Sequence, residues 1–179
     1  MGISGSGKTT YARRVAASLG AQHVELDALY HQENWSPRPD DEFRAEVAAA
    51  VAGDVWTVDG NYRVARALML TRAQVIVAFD LPKGVVMRQI TARSVSRGAL
   101  RRELWNGNRE SLVNLVRPEK ERNMVLWAFS QYETYRAKID WIETLAGGYG
   151  VEFVRVRSHD EAEREISHRL GPAGAAFLG

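Results

Sequence analysis

Gly2, Ile3, Ser4, Gly5, Ser6, Gly7, Lys8 and Thr9 run G-x-x-x-x-G-K-[ST], a spacing that can wrap a chain of phosphates. The glycines let the backbone turn its N–H groups inward, and a helix starting at the last of them aims its positive dipole end at the same point. The Lys8 ammonium is placed to bridge the β- and γ-phosphates, and the Thr9 hydroxyl to ligate Mg²⁺. Ser4, Ser6 and Thr10 complete the polar lining. The implied ligand is a nucleoside triphosphate, ATP or GTP, with magnesium.

Carboxylates come next. In open α/β sheets ligands gather at the carboxyl ends of strands, and Asp27, Asp59 and Asp80 each end an apolar run: HVEL, VWTV and VIVAF. Phosphoryl transfer uses one such carboxylate to orient magnesium through water and another to accept the proton of the attacking hydroxyl. Asp59 fits the first role and Asp27 the second, with acceptor binding; Asp80, just before Leu81 and Pro82, reads as the start of a helix. Arg93, Arg97 and Arg101 recur every four residues, so on a helix they share a face roughly 12 Å long. Their forked guanidinium groups suit phosphate oxygens. Arg88, Arg102 and Arg136 are further candidates.

The elements that must position these groups follow from hydrophobic pattern. Strands are expected at 22–26, 55–59, 74–80 and 151–156, with helices at 7–19, 40–52, 64–70, 82–105, 119–147 and 159–170. Pro82 suits a first helical turn, Asp40 can cap the helix after Pro39, and Ser158 with Glu161 makes a capping box. Residues 31–39 read as a loop. The segment Leu104 to Ser111, LWNGNRES, reads either as a lid with Trp105 as its hinge anchor or as a plain connection. Trp127, Tyr132, Tyr135 and Trp141 fall at helical spacing and are expected in the core.

Composition bounds the rest. The 179 residues suit one domain, residues 1–170, with a lid segment at about 88–118 and a frayed tail at 171–179. No cysteine is present, which excludes disulfides and thiolate metal sites and is compatible with the cytoplasm. No apolar run is long enough to span a bilayer. Twenty-four Lys and Arg against 22 Asp and Glu give +2, which does little to support nucleic acid as a partner. His31 and Glu33 are close in sequence, but no other histidine is near enough for a metal site.

SGSGKTT, LDALYH with the following ENW, DGNY, FDLP and LWNGNRES, in that order, resemble the adenylate-kinase-like P-loop kinases and more closely the bacterial DNA topology modulation (FlaR-related) proteins, over nearly the whole chain. The resemblance implies an α/β P-loop NTPase fold, three-layer α/β/α with a parallel sheet and a helical lid insertion. In such a fold a buried strand precedes the phosphate loop, and here only Met1 does. That strand would bury about five apolar side chains at roughly 1.5–3 kcal/mol each, so the polypeptide is expected to start upstream, with its first strand truncated here. In adenylate kinases a DG-x-P-R stretch serves the magnesium waters and the acceptor phosphate. Asp59, Gly60, Asn61, Tyr62 and Arg63 match it without the proline, which assigns Asp59, Gly60 and Arg63 to that site. Arg93 and Arg97 match the R-x-x-x-R pair of the lid, which steadies the migrating phosphoryl group, and Arg157 and Ser158 fall where related kinases contact adenine.

Nucleoside monophosphate kinases carry an acceptor arginine just after the second strand; this chain has Asp27, Ala28, Leu29, Tyr30 and His31 there, which favours an uncharged or hydroxyl-bearing acceptor. The function expected is Mg-ATP-dependent phosphotransfer to a small molecule or nucleotide. The alternatives are a regulatory ATP-binding or ATPase protein associated with DNA topology, and plain NTP hydrolysis.

Overall fold

A computed structural model describes residues 1–99, 103–108, 113, 117, 119 and 123–171. The expectations for Arg101, Arg102, residues 109–111 of the LWNGNRES segment, much of the 88–118 lid and nearly all of the tail lie outside these residues. The chain is α/β. Its order is α1 (Lys8–Leu19), β1 (Gln22–Glu25), α2 (Leu26–Tyr30), α3 (Asp40–Ala50), β2 (Trp56–Asp59), α4 (Arg66–Arg72), β3 (Val75–Phe79), α5 (Lys83–Ala99), α6 (Met124–Gly148), β4 (Glu152–Val156) and α7 (His159–Leu170). Short 3-10 turns lie at Glu33–Trp35 and Trp105–Gly107.

All strand pairing is parallel, as alternation of strands and helices requires. β1 runs beside β2 with Val24 opposite Val58 and Glu25 opposite Asp59, and β3 runs beside β4 with Val77 opposite Val154. The strands form two pairs and not the one ladder expected. On its other edge β3 meets Met1 and Gly2: Phe79 N donates to Met1 O at 2.9 Å, the Met1 amino group donates to Val77 O, and Gly2 bridges to Phe79. Two residues of pairing are too few to carry the ladder across to β2.

α1 packs on β1 and β2, α7 on β4 and α1, and α5 on α6. One core joins Ile3, Phe79, Leu81, Val86, Ile90 and Val156 beneath the phosphate loop, and a second gathers Val24, Leu26, Phe43, Val47 and Ala65 beneath α2. Among the described residues no helix is long and apolar enough to cross a membrane.

Several element boundaries move, each for a local reason. The helix expected to reach Trp105 is described only to Ala99, and Leu104 is extended; the Asn106–Gly107 pair turns at φ 53° and 77°, as left-handed turn formers do. α6 begins at Met124, not at Glu119, because the Asn123 carboxamide caps it, accepting from Val125 N and Leu126 N at 3.1 Å. Asp40 lies inside the first turn of α3 with Pro39 at the cap. α2 was not foreseen, so Asp27 sits in a first helical turn and not on a strand end. Ser158 does cap α7, accepting from Glu161 N at 3.1 Å, while Glu161 reaches back to Arg157 N at 2.7 Å. Trp141 is 48% exposed, which corrects its assignment to the core; Tyr132 is buried and Trp127 and Tyr135 pack against the core.

Candidate functional site

The segment from Gly2 to Thr9 folds as a tight turn closed by Ser6 N donating to Ile3 O at 3.1 Å, and it runs directly into α1. Gly7 caps that helix with no side chain to accept its first N–H groups, and no acid lies in its first turn. Those donors stay available to an external anion. Gly5 has φ +89°, and a Cβ there would stand 2.8 Å from Ile90 Cβ and 3.2 Å from Ile90 N. The loop therefore presses backbone to backbone on α5. Ser6 is fully buried and its hydroxyl has no hydrogen-bond partner.

Contact with α5 brings Arg93 to the loop. Arg93 Nη2 donates to Ser4 Oγ at 2.7 Å. Arg93 and Arg97 both act on the half-buried Lys8, whose ammonium is held below its ordinary pKa by burial first, with Asp27 and Asp59 opposing and the two arginines reinforcing. Three cations thus share one neighbourhood with two carboxylates, an excess of positive charge beside free helix N–H groups. A bound polyanion would relieve it.

Asp59, at the end of β2, is 4% exposed. Burial raises its pKa, while hydrogen bonding from the Thr9 hydroxyl and the Lys8 charge pull it down. Its Oδ2 is buried without a hydrogen-bond partner, and His23 Nε2 lies 3.8 Å away. The Thr57 hydroxyl spends its only proton on Ala12 O at 3.0 Å, so it accepts from His23 Nδ1 at 3.1 Å, leaving a bare Nε2 toward Asp59 while the ring is neutral. Burial lowers the His23 pKa. A buried carboxylate oxygen with no donor, beside a threonine hydroxyl, fits a hydrated divalent cation. Among the described residues no three His, Asp or Glu side chains form a metal cluster by themselves.

Asp27 reaches the same neighbourhood from α2. Tyr62 donates to Asp27 Oδ1 at 2.6 Å, and burial first, then Asp27, pushes the Tyr62 pKa up. The Tyr62 ring packs 4.5 Å from Tyr30 and 5.1 Å from Phe43, centroid to centroid, which fixes the hydroxyl. Gly60 lets the chain after β2 pass α2, since a Cβ there would lie 2.7 Å from Leu26 Cβ.

Not every foreseen residue joins. Thr10 is exposed on α1, and Arg63 is exposed beside Arg66. Asp80 is not merely the start of a helix: it is 8% exposed and held by Arg136 Nε at 3.1 Å and Arg155 Nη1 at 3.6 Å. That pairing engages Arg136, so its reading as a phosphate contact gives way to a structural one.

One contribution was missed, and the place of Trp105 was left open between a hinge anchor and a plain connection. His159 stacks on Tyr11 with rings 5.7 Å apart, approaches Gln89 Nε2 at 2.5 Å, and would touch a Cβ on Gly7 at 3.1 Å; its place after a helix cap gave no hint of the loop. Trp105 Nε1 donates to Glu25 Oε2 at 2.9 Å, and Asn108 ties this turn to Trp35 N and Gln32 O at 2.9 Å each. An open cavity of about 750 Å³ lies between the two 3-10 turns, lined in part by Trp35, Arg38 and Asn106. The Trp105 turn therefore docks on the end of β1 and on the loop after α2. Burial would raise the Glu25 pKa, but hydrogen bonds from Arg13 and Trp105 outweigh it and hold the carboxyl low.

No family model, curated protein or solved structure matches the chain.

Proposed function

We propose that the chain is a P-loop phosphotransferase of the adenylate-kinase-like type, which moves the γ-phosphoryl group of ATP or GTP to a small hydroxyl-bearing acceptor in the cytoplasm. The observation that carries this reading is the hydrogen bond from Arg93 on α5 to Ser4 in the loop, with Lys8 between Asp27, Asp59, Arg93 and Arg97. A glycine turn alone is common; one that gathers two distant arginines, a half-buried lysine and an orphaned carboxylate oxygen has the parts phosphoryl transfer needs.

The free N–H groups of α1 and the Lys8 ammonium hold the donor's phosphates. Thr9 and Asp59 are the groups that would hold magnesium, Asp59 through water. Magnesium, when bound, would screen the β- and γ-phosphate charge and fix their orientation. Arg93 and Arg97 face the charge that spreads over the migrating group. Asp27, steadied by Tyr62 on one oxygen, offers the other to the acceptor hydroxyl and takes its proton as the new P–O bond forms and the bond to the leaving diphosphate breaks. Rate enhancement comes from positioning and from fixed charge.

Radiolabelled ATP offered with nucleosides, nucleoside monophosphates and hydroxylated metabolites tests the reading. Label transfer that requires Mg²⁺ and is abolished by Lys8→Ala is expected. Steady ATP turnover with no labelled acceptor would move the chain to the hydrolases, and salt-dependent DNA binding without transfer to a regulatory role. Absence of any calorimetric signal with millimolar Mg·ATP or Mg·GTP would sink nucleotide binding altogether.

A further inference from the structure

A second group of cations lies beyond Asp27 and, among the described residues, meets no carboxylate. Tyr135 on α6 stands within electrostatic reach of both Asp27 and Arg66, and burial first, then Asp27, pushes its pKa up to about 12. The Arg66 guanidinium lies 4.8 Å over the Trp141 ring and its Nη2 is 3.4 Å from Asn61 Oδ1. Lys138 Nζ lies 5.1 Å from the Tyr135 ring centroid. Arg63 adds its charge to Arg66, and Arg66 in turn acts on Lys138.

Elsewhere on this surface arginines find acids: Arg155 meets Asp140 and Glu143 at 2.6 Å, and Arg169 meets Glu152 at 2.7 Å. Among the described residues neither Arg66 nor Lys138 makes an ion pair with a carboxylate. Among the described residues Arg66 Nε is buried without a hydrogen-bond partner, while the Asn61 amide is turned toward the Tyr135 hydroxyl. Donors of this kind, collected and partly desolvated, cost stability until an acceptor group arrives. Burial lowers the pKa of both Arg66 and Lys138, as expected where water is being withdrawn and no anion replaces it. Trp141, exposed on α6, supplies a ring face on which the Arg66 guanidinium rests.

We infer that Arg66 and Lys138, with Asn61 bracing the Arg66 guanidinium, form an anion subsite for the acceptor, so that a small molecule carrying a carboxylate or phosphate group is held there while its hydroxyl faces Asp27. The inference rests on the phosphotransfer reading for the hydroxyl, but the subsite stands on its own donors. It revises the expectation of an uncharged acceptor. The cation missing after β1 is supplied from α4 and α6, which no local motif announces. A guanidinium and an ammonium together suit a group with two or three oxygens, and Tyr135 and Trp141 give its carbon skeleton flat surfaces.

Calorimetry on the whole chain with inorganic phosphate and with acetate tests the subsite. Lys8→Ala weakens the phosphate loop's own hold on these ions, and residual binding of phosphate, acetate or both is expected in that background. Adding Arg66→Gln and Lys138→Gln should weaken it at least about tenfold, since two charge-assisted hydrogen bonds are lost, with melting temperature retained. Acetate binding points to a carboxylate acceptor and phosphate binding alone to a phosphorylated one. Should the pair fail to fold, Lys138→Gln alone is expected to weaken the same binding. No residual binding in Lys8→Ala, or residual binding that ignores these substitutions, overturns the inference. Mg·ATP affinity of the Arg66→Gln/Lys138→Gln chain should equal that of the parent, so failure of nucleotide binding and failure of the subsite are read separately.

Discussion

Arg93 Nη2 donates to the hydroxyl of Ser4 at 2.7 Å across 89 positions of sequence, and this bond fastens α5 to the turn that opens the chain. It sets a forked cation against the loop, where the proposed transfer would develop charge.

Loss of that cation should show in turnover and not in folding. Arg93→Ala and Arg97→Ala are each expected to lower kcat by about a hundredfold or more, with the melting temperature little changed. Arg93→Lys keeps charge but not the fork, and should recover only part of the rate. Steady-state kinetics beside thermal melts decide; a variant with full kcat removes Arg93 from the mechanism.

Asp59 gives a pH signature. Its folded pKa lies above the ordinary 3.8, burial being the first cause, so the folded chain holds that proton more tightly than the unfolded chain does. Ionising Asp59 therefore costs stability, a cost absent below pH 3.8 that develops as pH rises toward the folded value and stays in full above it. Asp59→Asn should raise the melting temperature at neutral pH, with the gain vanishing in melts below about pH 3.8, and should abolish magnesium-dependent transfer. Equal stability of the two proteins at pH 7 would contradict this account of the carboxylate.

Tyr62 acts through Asp27. Tyr62→Phe keeps the ring contacts with Tyr30 and Phe43 but removes the hydrogen bond to Oδ1. A fall in kcat of about tenfold is expected, from one hydrogen bond to a charged group, with KM for ATP unchanged. A change confined to the ATP KM would place Tyr62 elsewhere in the cycle.

Gly5 sets the spacing between loop and lid helix. Gly5→Ala must fit a Cβ at φ +89° and 2.8 Å from Ile90 Cβ; left-handed strain and overpacking together cost about 1–3 kcal/mol. Differential scanning calorimetry should show a fall of roughly 3–10 °C. An unchanged melting temperature would mean the loop sits less tightly on α5 than described.

What could be read in the chain was whatever is local. The glycine spacing, the lysine and threonine that follow, the alternation of apolar runs with helical patterns, and the Ser158 cap are short-range facts, because turn geometry and helix capping are decided within a few residues. Some boundaries failed although their causes are just as local: Asn123 caps the N–H groups two and three residues on, the Asn106–Gly107 pair turns by its own backbone, and a five-residue helix carries Asp27. Those short polar signals were outweighed by the longer apolar pattern around them.

Charge placement was decided only by the tertiary fold. Asp80, Arg136, Arg66 and Lys138 look alike in sequence as charges on or beside helices, yet Asp80 is buried with Arg136 and Arg155 around it, while Arg66 and Lys138 come within electrostatic reach of each other and, among the described residues, pair with no acid. Which ions meet depends on how α4 packs near α6 and α6 near β3, and no run of adjacent residues encodes those crossings. By itself the sequence determined a glycine-rich turn running into a helix and the α/β alternation that follows it. Packing alone decided that Arg93 reaches that turn while Arg66 comes to Trp141 on α6, because Coulomb energy follows distance in space and not separation along the backbone.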